Sequence, residues 1–194
     1  MEKTIDFYYD FSSPNAYFAS LQLRPLARRY GARVVALPIY LGGVFKALGT
    51  GPSLSNPARN LYRQLDLDRW GKKYEIPFRF PSRFPVNSVY ALRGSIAMEE
   101  QGKLGAYIDR VFRAYWVEDQ AIDDRPLLAE LVRSIGGNAE KFLARIEADE
   151  IKDRLRALTD KAMERGAFGS PIFFVGDEMF WGKDRLDFVE DALR

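Results

Sequence analysis

The chain contains no cysteine and no histidine in 194 residues. The first absence excludes a disulfide-stapled fold, a protein thiolate nucleophile, a dithiol redox pair and a cysteine-ligated zinc site. The second removes the side chain most used as a general base near neutral pH, and with it any serine–histidine triad. No tight acidic cluster offers a carboxylate alternative, so no metal site is expected. Charge of one sign is lacking too. The 29 basic and 27 acidic residues leave a net charge of +2; they are interleaved, which argues against nucleic acid as a partner. The longest apolar-rich stretch, residues 34–45, is broken by Pro38, Gly42 and Gly43 and is too short to span a bilayer. Residues 1–6 hold no basic segment followed by an apolar run, so no secretory signal is read and a cytoplasmic location is the default expectation. Internal repeats and low-complexity tracts are absent as well.

What is present alternates between strand and helix patterns. Residues 4–9 are β-branched and aromatic and read as a buried strand. Residues 14–30 read as a helix with Ala16, Ala19, Leu23 and Ala27 on one side, which Pro25 is expected to kink or split. Residues 33–40 form a second strand, and a short helical crossover makes the two parallel. The character then changes. A glycine-, proline- and serine-rich loop ends at Asn56-Pro57, residues 58–74 look helical, and residues 76–85, with three prolines, must be irregular. Helical stripes follow at Val89, Leu92 and Ile96, at Leu104, Ile108 and Val111, and at Leu127, Leu131 and Ile135, stopped by Gly136-Gly137. Two more run through Phe142 and Ile146, and through Ile151, Leu155 and Ala162; stripes of this kind pack a helical subdomain. Strands return at 171–175 and 179–181 around a Gly176-Asp177 turn, before a last helix with Leu186, Val189 and Leu193 buried. The outline is α/β: a thioredoxin-like β-α-β … β-β-α domain (1–40 and 167–194) interrupted by an all-helical insertion (41–166).

Three short elements attract attention in that frame. Ser13-Pro14 is explained by helix initiation alone, since serine is a preferred cap worth about 1 kcal/mol and proline suits the next position. It also stands where a thioredoxin-like chain carries its Cys-x-x-Cys, at an anion-friendly helix terminus that favours a thiolate. With no cysteine in the chain, any sulfur must arrive on a bound molecule. Gly169-Ser170-Pro171 is an acceptable strand entry; in this fold the proline is expected to be cis and to expose the backbone of Ser170 to an extended peptide. Trp181-Gly182-Lys183-Asp184 reads as a strand end with Asp184 capping the final helix, or as a pocket for a carboxylate and an ammonium. Lys46, Arg79 and Arg83 are cations beside prolines and aromatics, ordinarily solvated or stacked, and equally partners for an anionic substrate. Asn87 reads as a helix cap before a substrate contact.

The motifs Asp6-Phe7-Tyr8-Tyr9-Asp10-Phe11-Ser12-Ser13-Pro14 with Tyr17, Leu67-Asp68-Arg69-Trp70, Ile76-Pro77-Phe78 and Phe84-Pro85-Val86-Asn87 complete the picture. With Phe168-Gly169-Ser170-Pro171 and the run from Gly176 through Trp181-Gly182-Lys183-Asp184-Arg185 to Leu186, they resemble the 2-hydroxychromene-2-carboxylate isomerases. That family is related to the kappa-class glutathione transferases and the DsbA-like thioredoxin superfamily, and the resemblance covers essentially the whole chain. It implies a glutathione-dependent cis–trans isomerase of aromatic catabolism, interconverting 2-hydroxychromene-2-carboxylate and trans-o-hydroxybenzylidenepyruvate by thiolate addition, bond rotation and elimination. It implies that Ser13 hydrogen-bonds the glutathione sulfur, that Ser170 and the cis Pro171 present backbone to glutathione, and that Trp181, Gly182, Lys183 and Asp184 hold its γ-glutamyl end. Lys46, Thr50, Arg83 and Asn87 are the implied contacts of a small aromatic carboxylate; the family often has asparagine where Thr50 stands, which bears on substrate preference. Relatives are commonly homodimers. Two other readings use the same residues: a kappa-like transferase or peroxidase, and a non-catalytic thioredoxin-like binding protein.

Overall fold

In the computed structural model, which describes residues 3–51 and 56–194, the first strand-like run forms β1 (Thr4–Tyr9). Residues 1–2, part of the opening segment, and 52–55, the body of the loop before Asn56, lie outside the described residues. β1 is buried from both sides, because successive side chains of a strand point to opposite faces. Ile5, Phe7 and Tyr9 enter one hydrophobic cluster and Tyr8 another. β1 pairs in parallel with β2 (Arg33–Pro38) and antiparallel with β3 (Ile172–Val175), which turns through Gly176 (φ +60°) into β4 (Glu178–Trp181). The sheet order is β2-β1-β3-β4, the mixed arrangement expected from the β-α-β and β-β-α halves.

The crossover is α1 (Pro14–Arg29), which remains one element through Pro25. Proline removes one bond to the carbonyl four residues back; here that residue, Leu21, is exposed, so water can meet the freed oxygen. Between β2 and β3 come seven helices among the described residues. α2 (Leu41–Ala47) is a short helix in a stretch where the sequence pattern predicts no element, and α3 (Pro57–Lys73) is capped by Asn56. After an irregular 76–88 segment follow α4 (Val89–Glu99), α5 (Leu104–Trp116), α6 (Arg125–Ser134), α7 (Ala139–Glu147) and α8 (Asp149–Glu164). A 3₁₀ turn (Lys183–Arg185) leads into α9 (Leu186–Ala192). Among the described residues no helix is long and apolar enough to cross a membrane.

One continuous core joins sheet to insertion: Phe7 and Phe173 share a cluster with Phe112, Leu128 and Phe142. α4 and α5 approach so closely that a Cβ on Gly94 would lie 2.1 Å from the Tyr107 hydroxyl, a contact only glycine permits. Trp116, fully buried, packs against Phe78, Phe80, Phe84 and Tyr115. Its indole N–H donates to the Phe11 carbonyl at 2.9 Å. The aromatic heart of the insertion thereby grips the loop that leaves β1, and this positions the site.

Candidate functional site

The residues after β1 turn sharply into α1. The Ser13 N–H donates to the Asp10 carbonyl at 3.0 Å, and Ser13 Oγ accepts the Ala16 N–H at 3.2 Å, satisfying one of the free donors at the helix start. The same hydroxyl donates its only hydrogen to the Ser170 carbonyl at 2.8 Å. Ser170 precedes a cis bond to Pro171, and its own Oγ accepts the Asp10 N–H at 2.9 Å. The end of β1 and the start of β3 are thus stitched side chain to backbone in both directions.

Beneath this pair lies Asp10, with no exposed surface. Its carboxylate accepts four hydrogen bonds: from Ser12 N–H (2.8 Å), Ser12 Oγ (2.8 Å), Ser88 Oγ (2.6 Å) and Leu41 N–H (2.9 Å). Burial pushes its pKa above the ordinary carboxylate value, and the four donors pull it back towards that value. Asp10 therefore ties the site loop to the start of α2 and to the approach to α4.

Above these residues opens a cavity of about 390 Å³. Ser12, Ser13 and Asn15 line it from the helix start, and Gly169, Ser170, Phe168 and Trp181 from the returning strands. Tyr40 lines it from the end of the segment after β2, and the insertion contributes Phe45, Phe84, Val86 and a cation, Arg63 of α3. Trp181 is half exposed and meets Phe168 edge to face at 5.0 Å. A Cβ on Gly169 would lie 2.8 Å from the Trp181 indole nitrogen, so a glycine is needed for the ring to sit there.

Of the residues singled out from the sequence, Ser13, Ser170 and Trp181 come together in this cavity. Gly182 (φ +107°) donates its N–H to the Pro171 carbonyl at 3.1 Å beside it. Lys183 and Asp184 line a different cavity, of about 500 Å³, which shares no lining residue with the Ser13 cavity. There the Lys183 ammonium lies 4.8 Å from the Trp70 ring centre and 3.5 Å from Asp66, and burial pulls its pKa down against the opposing pull of Asp66. Asp184 pairs with Arg185 at 2.7 Å and does not cap α9. Lys46 lines a third cavity, about 590 Å³, with Arg93, Lys152 and Arg156; Tyr40 stands between it and the Ser13 cavity, lining both. Thr50 is exposed beyond α2. Arg83 pairs with Asp123 at 3.1 Å, and Asn87 Oδ1 accepts the Val89 N–H at 3.1 Å from one residue ahead of the cap position of α4, Ser88. Asp10 and Arg63 escaped the sequence reading. An acid between Tyr9 and Phe11 at a strand end was a signal that a buried carboxylate needed donors; Arg63 gave none, being one of several basic residues on α3.

The arrangement can hold negative charge. A helix N-terminus favours an anion, Ser13 offers a hydroxyl there, and Arg63 adds a cation. A protein nucleophile of the thiol or imidazole kind is excluded by composition. Residues 4–194 match the family model described as a DSBA-like thioredoxin domain. Among curated proteins, the 2-hydroxychromene-2-carboxylate isomerase of Pseudomonas sp. (strain C18) is 38% identical over 191 residues, 97% of this chain and 89% of that protein. Glutathione S-transferase kappa 1 of Caenorhabditis elegans is 27% identical, over 98% of this chain and 90% of its own length. Among solved structures, a selenomethionine 2-hydroxychromene-2-carboxylate isomerase superposes with a TM-score of 0.89 at 36% identity, covering 98% of this chain and 94% of that one.

Proposed function

The chain belongs to the DSBA-like thioredoxin family and, within it, to the 2-hydroxychromene-2-carboxylate isomerases; on that premise we propose that it is a glutathione-dependent cis–trans isomerase of 2-hydroxychromene-2-carboxylate. The observation that carries the reading is the pairing of Ser13 Oγ with the Ser170 carbonyl at a helix N-terminus, in a chain with no thiol of its own. These residues fit glutathione. Ser13 would meet the sulfur, the Ser170 backbone the cysteinyl peptide group, and Trp181 with the Gly182–Lys183–Asp184 turn the γ-glutamyl end. When bound, glutathione would supply the thiolate that adds reversibly to the conjugated substrate and frees the former double bond to turn.

The protein's own part follows from its hydrogen bonds. Ser13 has one hydrogen to give, and in the free protein Ser170 O receives it. Turning that hydrogen toward a sulfur leaves the Ser170 carbonyl open to a peptide N–H, so one bond is exchanged for another and no acceptor is stranded. Ser170 Oγ keeps its bond to Asp10 throughout, which holds the carbonyl in place. An ordinary thiol, with a pKa of about 8.5, is only a few per cent ionised at pH 7; the α1 terminus and the Ser13 hydroxyl both favour the charged form. Phe45, Phe84 and Val86 wall the cavity with apolar surface that suits an aromatic ring.

The test is an ultraviolet difference titration with glutathione at neutral pH, followed by an assay of 2-hydroxychromene-2-carboxylate. A thiolate band that disappears in Ser13→Ala, together with turnover, supports the reading. Absence of both overturns it. The similarity to a kappa-class transferase favours one second reading, transfer of the same thiolate to an electrophile; conjugation of an aryl halide without isomerisation would select it.

A further inference from the structure

We infer that Arg63 is the residue by which this cavity selects anionic substrates, its guanidinium pairing with the carboxylate of an aromatic acid. The inference rests on the reading of the Ser13 cavity given above. Arg63 lines the same cavity as Ser13 and Ser170. Its guanidinium carbon lies 5.4 Å from the centre of the Phe84 ring, and one terminal nitrogen donates to Asn60 Oδ1 at 3.0 Å. Its Nε is buried and has no hydrogen-bond partner. Among the described residues no carboxylate stands within ion-pair reach of it, although arginines elsewhere on the surface are paired, as Arg24 is with Asp109 and Arg145 with Glu100.

The charge is thus kept in a partly desolvated place without an answering anion, a costly arrangement unless something else completes it. Burial, and the like charge of Arg59, pull its pKa below the ordinary arginine value, the direction that a bound anion would reverse. Among the described residues Asp10 is the one acid lining the cavity, and four donors already occupy its oxygens. A guanidinium carries its donors in one plane, where a carboxylate is recognised in forked fashion. Phe84 and Val86 beside it offer the apolar walls for the ring that bears that carboxylate.

The experiment uses the whole chain with Arg63→Leu, Arg63→Gln and Arg63→Lys, and two probes, trans-cinnamate and its uncharged amide, by calorimetry. The wild-type protein is expected to prefer cinnamate, and Arg63→Leu and Arg63→Gln to weaken cinnamate by about tenfold or more while leaving the amide unchanged. Arg63→Lys, which keeps the charge and loses the fork, should recover part of that affinity. The glutathione thiolate band should be the same in all four proteins, and KM for the carboxylate substrate should rise more than kcat falls. Equal loss for acid and amide would make Arg63 a packing residue and overturn the inference. So would a wild type indifferent to the charge, or a glutathione band lost together with Arg63. Should the wild type show neither band nor turnover, the isomerase reading falls, while the cinnamate comparison still decides the role of Arg63.

Discussion

At the sheet end of the cavity, Ser13, Ser170 and Asp10 satisfy one another and the surrounding backbone. On the insertion side stand phenyl rings, a valine and a guanidinium with an unanswered nitrogen. The first half is held by hydrogen bonds, which fix positions closely, and in the proposed function it would read backbone and one sulfur. The second is held by packing, which sets shape and lets a ring slide. A site that must bind the same helper molecule in every cycle gains from the first construction. One that must choose among aromatic acids gains from the second. The difference predicts that damage to the sheet half will cost stability or chemistry, and damage to the insertion half will cost selection.

The sharpest way to break this comparison is Asp10→Ala. Removing the carboxylate strands the buried Ser88 hydroxyl and the partly buried N–H groups of Ser12 and Leu41. The expected loss is about 3 kcal/mol or more, lowering Tm by roughly 6–12 °C in a chain of this length. Thermal unfolding followed by circular dichroism checks it. A variant as stable as the parent would mean that the four bonds do not organise the sheet half.

Next in size is Ser13→Ala, with the opposite distribution of effects. Stability should fall by about 1 kcal/mol, the worth of a cap, while kcat/KM falls about 100-fold, as on losing one donor to developing negative charge. The pH profile gives the sign. With Ser13 in place the rate should be flat around neutrality. Without it the rate should climb with pH, about tenfold per unit, until the ordinary thiol pKa of about 8.5 is reached. Two parallel profiles would separate Ser13 from thiolate formation.

Gly169→Ala probes the seam between the halves. The new methyl would press on the Trp181 indole from 2.8 Å, and the half-exposed ring can swing away from Phe168. Glutathione affinity should fall several-fold with Tm nearly unchanged. Unaltered binding would remove Trp181 from the cofactor wall.

How much of this was legible beforehand follows the same division. Ser13, Ser170 and Trp181 stand at ends of regular elements, where Ser-Pro, Ser-Pro and Trp-Gly punctuate the chain locally, and chain order alone brought them together. Asp10 was visible as an acid, but its donors at Leu41 and Ser88 lie 31 and 78 residues away, beyond any local pattern. That also explains why α2 was missed. Its start at Tyr40 has no side-chain cap, and its first N–H is met by Asp10 from another element, while Gly42-Gly43 reads as loop. Arg63 was illegible for a different reason. A helical period distinguishes faces, not which of Arg59, Arg63 and Arg69 meets a cavity built by residues 40–45 and 84–88.

The smallest expected effect tests whether the insertion wall is propped from outside. Asp119 accepts the Ser82 N–H at 2.7 Å and the Ser82 hydroxyl at 3.0 Å, and pairs with Arg79 at 3.1 Å. It thereby pins the irregular segment that carries Phe84 into the cavity. The Ser82 N–H, ahead of the hydroxyl and Arg79, holds its carboxyl below the usual carboxylate range. A carboxylate with a depressed folded-state pKa contributes stability above its unfolded value of about 3.9 and loses it as pH falls through the folded value. Asp119→Asn should therefore unfold slightly earlier than the parent at pH 7, by less than about 1 kcal/mol because its Arg79 partner is mostly exposed, and the gap should close as pH falls through the folded value. Asparagine tolerates the left-handed backbone at this position (φ +57°), so the comparison isolates the carboxylate. If the segment is a working wall, KM for the aromatic acid should rise modestly in the same variant while the glutathione band stays; a band that weakened instead would mean that the two halves of the cavity are mechanically one.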